Sequence, residues 1–144
     1  MSFLAQAESS VGAPPEVAFD RLANHASWPA WMPASFRPVG PSKDTLRSGD
    51  AITVKIAGMP FPARLVVHVS RRPDEISWRG GVKGLLWAEH RFLFEADAKG
   101  GTRVRSVETW YGPLASVLRR AIQPRAERIG QEQLAGLARG VAAG

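Results

Sequence analysis

The chain has 144 residues, 44% of them hydrophobic, and a formal net charge of +6. That length and composition suit one globular domain, 1–144, able to bury roughly two thirds of its unfolded surface, and they exclude a disordered chain. The absence of cysteine excludes disulfides, a thiolate metal site and a cysteine nucleophile; no apolar run is long enough to span a bilayer and residues 1–12 lack a signal-peptide pattern, so a cytoplasmic location is the default expectation.

Residues 3–11 alternate weakly and predict a strand. In "GAPPEVAFDRLAN" two prolines suit the first turn of a helix, which ends near Asn24. "HASWPAWMPAS" predicts a second short helical turn with Ser27 as its cap, bounded by Pro29 and Pro33. From residue 36 the period becomes two. Ile52, Val54 and Ile56 form one inward set, and Leu65, Val67 and Val69 the next, with His68 facing out. "RPDE" predicts a turn with Pro73 at its first central position, and "EISWRGG" a strand with Ile76 and Trp78 on one side. Two long strands follow, joined by "DAKGG". From Pro113 the period returns to 3.6: Leu114, Val117, Leu118, Ala121, Ile122, Ile129, Leu137 and Val141 make a stripe on one long helix, with a kink expected at Pro124. The order implies an α+β fold, a curved antiparallel sheet of about seven strands wrapped around the long C-terminal helix, with two short helices after strand 1. A curved sheet closed by one helix leaves space between them.

Three segments carry a family likeness: 13–33 with its Trp-Pro-x-Trp corner, 84–114 with His-x-Phe and Glu-Thr-aromatic-x-Gly, and the terminal helix with its internal proline. Together they resemble the START-related helix-grip proteins, the SRPBCC superfamily, and among these the small stand-alone bacterial proteins labelled polyketide cyclase/dehydrase-like. The resemblance implies a helix-grip domain with a cavity between sheet and helix. The superfamily spans lipid and sterol carriers, hormone receptors, cyclases, ubiquinone-binding proteins and oxygenase subunits, so it implies the fold far more than any activity. The iron ligands of the oxygenase branch have no counterpart here, and no cofactor is implied.

In "WAEHRFLFE" the apolar face Ala88, Phe92, Phe94 is interrupted by His90. "DAKGG" suits a type I turn with Gly100 left-handed and Gly101 in a bulge, which sets Ala96 opposite Thr102 and therefore His90 opposite Glu108. Opposed residues have Cβ atoms about 4.5–5.5 Å apart. A carboxylate and an imidazole on the face that meets the helix imply a cavity, since an isolated buried carboxylate costs several kcal/mol. The neighbouring carboxylate raises the histidine pKa while burial lowers it, and the sequence leaves the net direction open. Such pairs most often only brace a sheet; the alternatives are ligand binding by Trp78, His90, Phe92, Ser106, Glu108, Trp110, Ile129 and Gln133, or catalysis with Glu108 as general base and His90 as its partner or acid. His25 and His68 fall in no register with His90, so no metal site is expected. Trp28 and Trp31 read as corner packing.

The first functional expectation is therefore binding of a small, largely apolar ligand (lipid, aromatic or polyketide-like). The second is a cyclase or dehydratase working by proton transfer. The third is an interaction module using a basic convex face of Lys55, Arg64, Arg79, Arg91, Arg103 and Arg105. Nucleic acid is disfavoured because the aromatics lie on the other face, and homodimerisation stays open.

Overall fold

The computed structural model describes residues 2–143. Its elements run β1 Ser2–Val11, α1 Pro15–Ala23, a 3₁₀ turn His25–Ser27 continuing into α2 Trp28–Trp31, β2 Phe36–Val39, β3 Ala51–Ile56, β4 Ala63–Arg71, β5 Glu75–Val82, β6 Leu86–Ala96, β7 Thr102–Tyr111 and α3 Pro113–Ala143. One antiparallel sheet has the order β1-β7-β6-β5-β4-β3-β2. The meander β2 to β7 is sequential, and β1 returns to pair with β7, from Ser2 opposite Tyr111 to Val11 opposite Thr102. α3 lies across the concave face, mainly on β1 and β7, with α1 and α2 against its C-terminal half.

The inward sets of the strands form the core: Ile52 and Val54, Leu65 and Val67, Ile76 and Trp78, Phe92 and Phe94, Val104, closed by Leu134 and Leu137 of α3. His68 sits in a bulge between Val67 and Val69 and is exposed. Pro15 opens α1 as expected, where its missing N–H costs nothing.

The corner holds α3 in place. Trp28 Nε1–H donates to the Leu22 carbonyl at 2.8 Å, and Trp31 Nε1–H donates to Ser27 Oγ at 3.0 Å. Ser27 therefore stands at the N-cap of α2 without capping it, because its hydroxyl serves Trp31 and donates to the Asn24 carbonyl at 2.7 Å. Trp31 lies against Gly136 and Gly140 of α3, where a methyl at Gly136 would overlap the Trp31 carbonyl. Alanine normally stabilises a helix by about 1 kcal/mol over glycine. Here the overlap is with backbone, so Gly136→Ala is expected to destabilise the fold by about 1–3 kcal/mol, the usual cost of overpacking. Urea denaturation reads this directly; a net gain would mean that α3 can slide off the corner.

Three further sequence expectations change. Pro73 follows a cis bond and takes the second central position of the Arg71–Asp74 turn, not the first. The front of the α3 stripe is not buried: Leu114, Val117 and Leu118 are exposed, because the helix begins beyond the end of the sheet. The convex face is less basic than its arginines imply. Arg79 pairs with Glu89 at 2.7 Å, Arg91 with Glu75 at 2.9 Å and Arg103 with Glu8 at 3.2 Å.

Candidate functional site

The β6–β7 loop sets the site by local chemistry. The Asp97 carboxylate accepts the backbone N–H groups of Lys99 and Gly101, each at 2.8 Å, and Gly100 takes φ +80°. A β-carbon carries a penalty in that left-handed region, so glycine suits it. The loop pins Ala96 to Thr102, and the ladder then carries His90 opposite Glu108. Both side chains point to the concave side, with His90 Nδ1 3.2 Å from Glu108 Oε2. The second imidazole nitrogen, Nε2, lies 2.6 Å from Ser106 Oγ. Phe92 stacks on the imidazole with centroids 4.3 Å apart, and Trp78 meets it edge-on at 5.6 Å.

This apolar packing decides the charge state. Burial pulls the His90 pKa down to about 3 and pushes Glu108 up to about 7. The Trp110 indole leans toward the Glu108 carboxyl and opposes that rise, but its N–H closes no hydrogen bond. The 3.2 Å contact is therefore no standing ion pair: near neutral pH the imidazole is neutral and the carboxyl is near its midpoint. A neutral imidazole has one N–H. With Glu108 ionised, Nδ1–H donates to the carboxylate and Nε2 accepts from the Ser106 hydroxyl. With Glu108 protonated, the carboxyl donates to Nδ1 and Nε2–H donates to Ser106. Protonation of Glu108 is thus coupled to the histidine tautomer.

Two adjoining lobes open inside the curve of the sheet, the first of them closed by α3. One, of about 160 Å³, runs from Phe36 and Ile56 to Ala121, Ile122, Ile129 and Gln133 on α3. The other, of about 110 Å³, lies over β4 and β5 against Leu65, Trp78, Gly80 and Leu86. His90, Glu108 and Trp110 line both, so the polar residues stand at the junction of two apolar compartments. On this wall Trp110 Nε1 and both amide atoms of Gln133 are buried without a hydrogen-bond partner.

Of the eight residues singled out from sequence, His90, Glu108, Trp110, Ile129 and Gln133 line the larger lobe and Trp78 the smaller. Phe92 and Ser106 line neither. Phe92 lies behind the imidazole, and Gly130 of α3 sits directly over the Ser106 hydroxyl. Sequence reading missed the opposite wall, Phe36, Ile56 and Met59, although the inward alternation of Ile56 pointed to it. It also missed Arg125, whose guanidinium lies over Gly58 at the mouth, where any β-carbon would overlap it. No local pattern marks that contact. His25 is buried in the corner, its Nδ1 accepting the Lys43 N–H at 3.0 Å, away from the cavity.

A seven-stranded antiparallel sheet curled around a C-terminal helix, with a cavity between the two, defines the helix-grip class. The chain belongs to the family described as polyketide cyclase/dehydrase and lipid transport, whose model matches residues 3–142. No curated protein matches it. Among solved structures, a Helicobacter pylori protein superposes with TM-score 0.75 at 18% identity, covering 95% of this chain and 86% of that one. A Thermus thermophilus protein gives TM-score 0.71 at 18% identity, covering 98% of each. Norcoclaurine synthase from Thalictrum flavum gives TM-score 0.68 at 10% identity, covering 99% of this chain and 86% of that one. At these identities the likeness is one of fold.

Proposed function

We propose that the protein binds a small, largely apolar molecule, lipid, aromatic or polyketide-like, with a carbonyl or hydroxyl group held where the two lobes meet. The carrying observation is the set of unpartnered polar atoms on a mostly apolar wall, beside His90 and Glu108: the Trp110 N–H and the Gln133 amide. A buried polar group left unsatisfied costs about 1–3 kcal/mol, so a partner in the cavity is the simplest reason to keep two of them. A void of about 150 Å³ takes a benzene-sized molecule, so each lobe suits roughly one ring or a short chain. Native mass spectrometry of the gently purified protein, followed by identification of what it releases, tests the reading. Gln133→Leu is expected to raise stability by about 1–2 kcal/mol while weakening retention of the released compound by about tenfold. A protein that never carries a compound, or a Leu variant that retains it fully, would defeat the reading.

A second reading is favoured by one specific feature, the pKa of Glu108 near 7. A buried carboxyl so placed, touching an imidazole, is matched to proton transfer next to a carbonyl at neutral pH. Norcoclaurine synthase is an enzyme on a similar scaffold, which makes catalysis compatible with the fold. Screening carbonyl compounds for turnover tests this. Given a substrate, Glu108→Gln is expected to lower kcat by about 10²-fold or more, and the wild-type rate to rise with pH through about 7 as the base ionises. Undiminished turnover in the Gln variant would make the pair structural.

A further inference from the structure

The end of the molecule where the cavity opens does not resemble the rest of its surface. β1, β4 and β6 begin there, β3, β5 and β7 end there, and α3 starts there. Ten large hydrophobic side chains are conspicuously exposed among the described residues; eight of them, all but Val17 and Val39, are at this end. Phe61 is 75% exposed on the β3–β4 loop, Val82 61% at the β5–β6 turn and Val117 76% on α3. Leu114, Val117, Leu118 and Ala121 follow helical spacing, and the stripe continues without interruption into Ile122, Ala126 and Ile129 of the cavity wall. An apolar track thus leads from outside the protein to the ligand lobe.

Basic residues predominate among the free charges at this end: Glu89, on the rung of Leu4, is paired with Arg79, and Glu132, beside Ala57, Gly58 and Arg125, accepts the Ser35 hydroxyl. Segments 2–7, 57–62, 82–88 and 109–126 contain no aspartate or glutamate, whereas they carry Lys83, Arg119, Arg120 and Arg125. Among the described residues none of these four has a carboxylate within ion-pair distance, in contrast to the paired arginines of the convex face. A second copy docked here about a two-fold axis would bring like charges together. Apolar tips set among unpaired basic residues instead match the interface of an anionic bilayer, where side chains enter the acyl boundary and each Lys or Arg adds attraction to the surface.

We propose that the open end, formed by the β3–β4 loop, the β5–β6 turn and the first turns of α3, docks peripherally on anionic phospholipid membranes, so that an apolar molecule passes between bilayer and cavity along the exposed α3 stripe. Among the described residues no helix is long and apolar enough to cross a membrane, and docking requires none. The proposal deepens the ligand-binding reading and rests on it for the use of the cavity.

The test is flotation of the purified protein with vesicles of phosphatidylcholine alone and of phosphatidylcholine mixed with phosphatidylserine. Binding to the mixed vesicles only, lost at about 1 M salt where screening falls to about 3 Å, is expected. Phe61→Ser and Val117→Ser should each weaken it about tenfold or more. Arg119→Gln and Arg120→Gln should each weaken it about fivefold, the share of one basic residue near a charged surface. Val17→Ser and Val39→Ser, exposed apolar residues elsewhere, should leave it unchanged. All these positions are exposed, and an unaltered circular dichroism melt would show each variant folded. No flotation, equal flotation with neutral vesicles, or equal loss in the Val17 variant would overturn the proposal. So would a dimer that Val117→Ser dissociates in a protein that ignores vesicles. Failed flotation with a retained compound defeats the docking alone; flotation by a protein that never carries a compound defeats the ligand reading.

Discussion

Glu108→Gln is expected to stabilise the protein above neutral pH by up to about 3 kcal/mol, and the gain is expected to vanish by about pH 4.5. The folded carboxyl holds its proton up to about pH 7, whereas the unfolded one releases it near 4.5. Between those values the native state binds more protons than the unfolded state, so stability falls as pH rises, by about 1.4 kcal/mol for each pH unit. Glutamine keeps the shape and the hydrogen-bonding reach but never ionises, so it escapes the penalty. His90 acts with the opposite sign. Its folded pKa lies near 3 and its unfolded value at 6.5, so the unfolded state takes up the extra proton as pH falls through that window and stability is lost. The two contributions largely cancel between about pH 4.5 and 6.5, so the wild-type profile alone does not separate them. The difference between Gln variant and wild type does. Urea denaturation of both proteins at about pH 5 and about pH 8 is the measurement, on either side of most of the carboxyl's titration. An offset equal at both pH values would show that Glu108 stays ionised throughout.

What could be read from sequence is what short-range chemistry controls. The Asp97 carboxylate and Gly100 fix a five-residue loop, and the period of two does the rest, which is why the opposition of His90 and Glu108 follows from residues 87–112. The order of elements likewise follows from where the period switches between two and 3.6. What could not be read depends on how far one element reaches over another. Ser106 shares a face with Glu108, but Gly130 lets the α3 backbone settle directly on it, so the face is cavity at one rung and contact at the next. The α3 stripe gives a direction but not the point at which the sheet ends, so Val117 and Leu137 look alike in sequence and differ fully in burial. The net sign of the histidine shift is illegible for the same reason: adjacency comes from register, but desolvation comes from Trp78, Phe92 and the helix packed above. Arg125 over Gly58 joins residues from a turn and a helix with no shared pattern.

Trp78→Ala is expected to cost about 3–5 kcal/mol, the range for removing a large buried aromatic. Trp78 is 2% exposed, wedged between Trp28 at 5.5 Å, Phe36 at 6.0 Å, Phe92 at 5.2 Å and the imidazole at 5.6 Å. Those neighbours come from α2, β2 and β6, so the indole ties the corner and the edge of the sheet to its centre, and they cannot all close the gap at once. For a chain of this length the melting temperature should drop by roughly 10 °C or more. Trp78 also forms the floor of the smaller lobe, so the void left by its loss joins that lobe. A ring-sized apolar compound such as indole should then bind the variant and restore part of the lost stability in proportion to its occupancy, while leaving the wild type little changed. The same substitution removes part of the packing that desolvates His90, so the imidazole pKa should move up from about 3 toward 6.5, readable from its proton chemical shifts. A loss below about 1 kcal/mol would show that the indole is set loosely in the wall. A large loss with an unmoved imidazole would mean that Phe92 and α3 keep His90 dry without Trp78, and that the charge state of the His90–Glu108 pair does not depend on the indole.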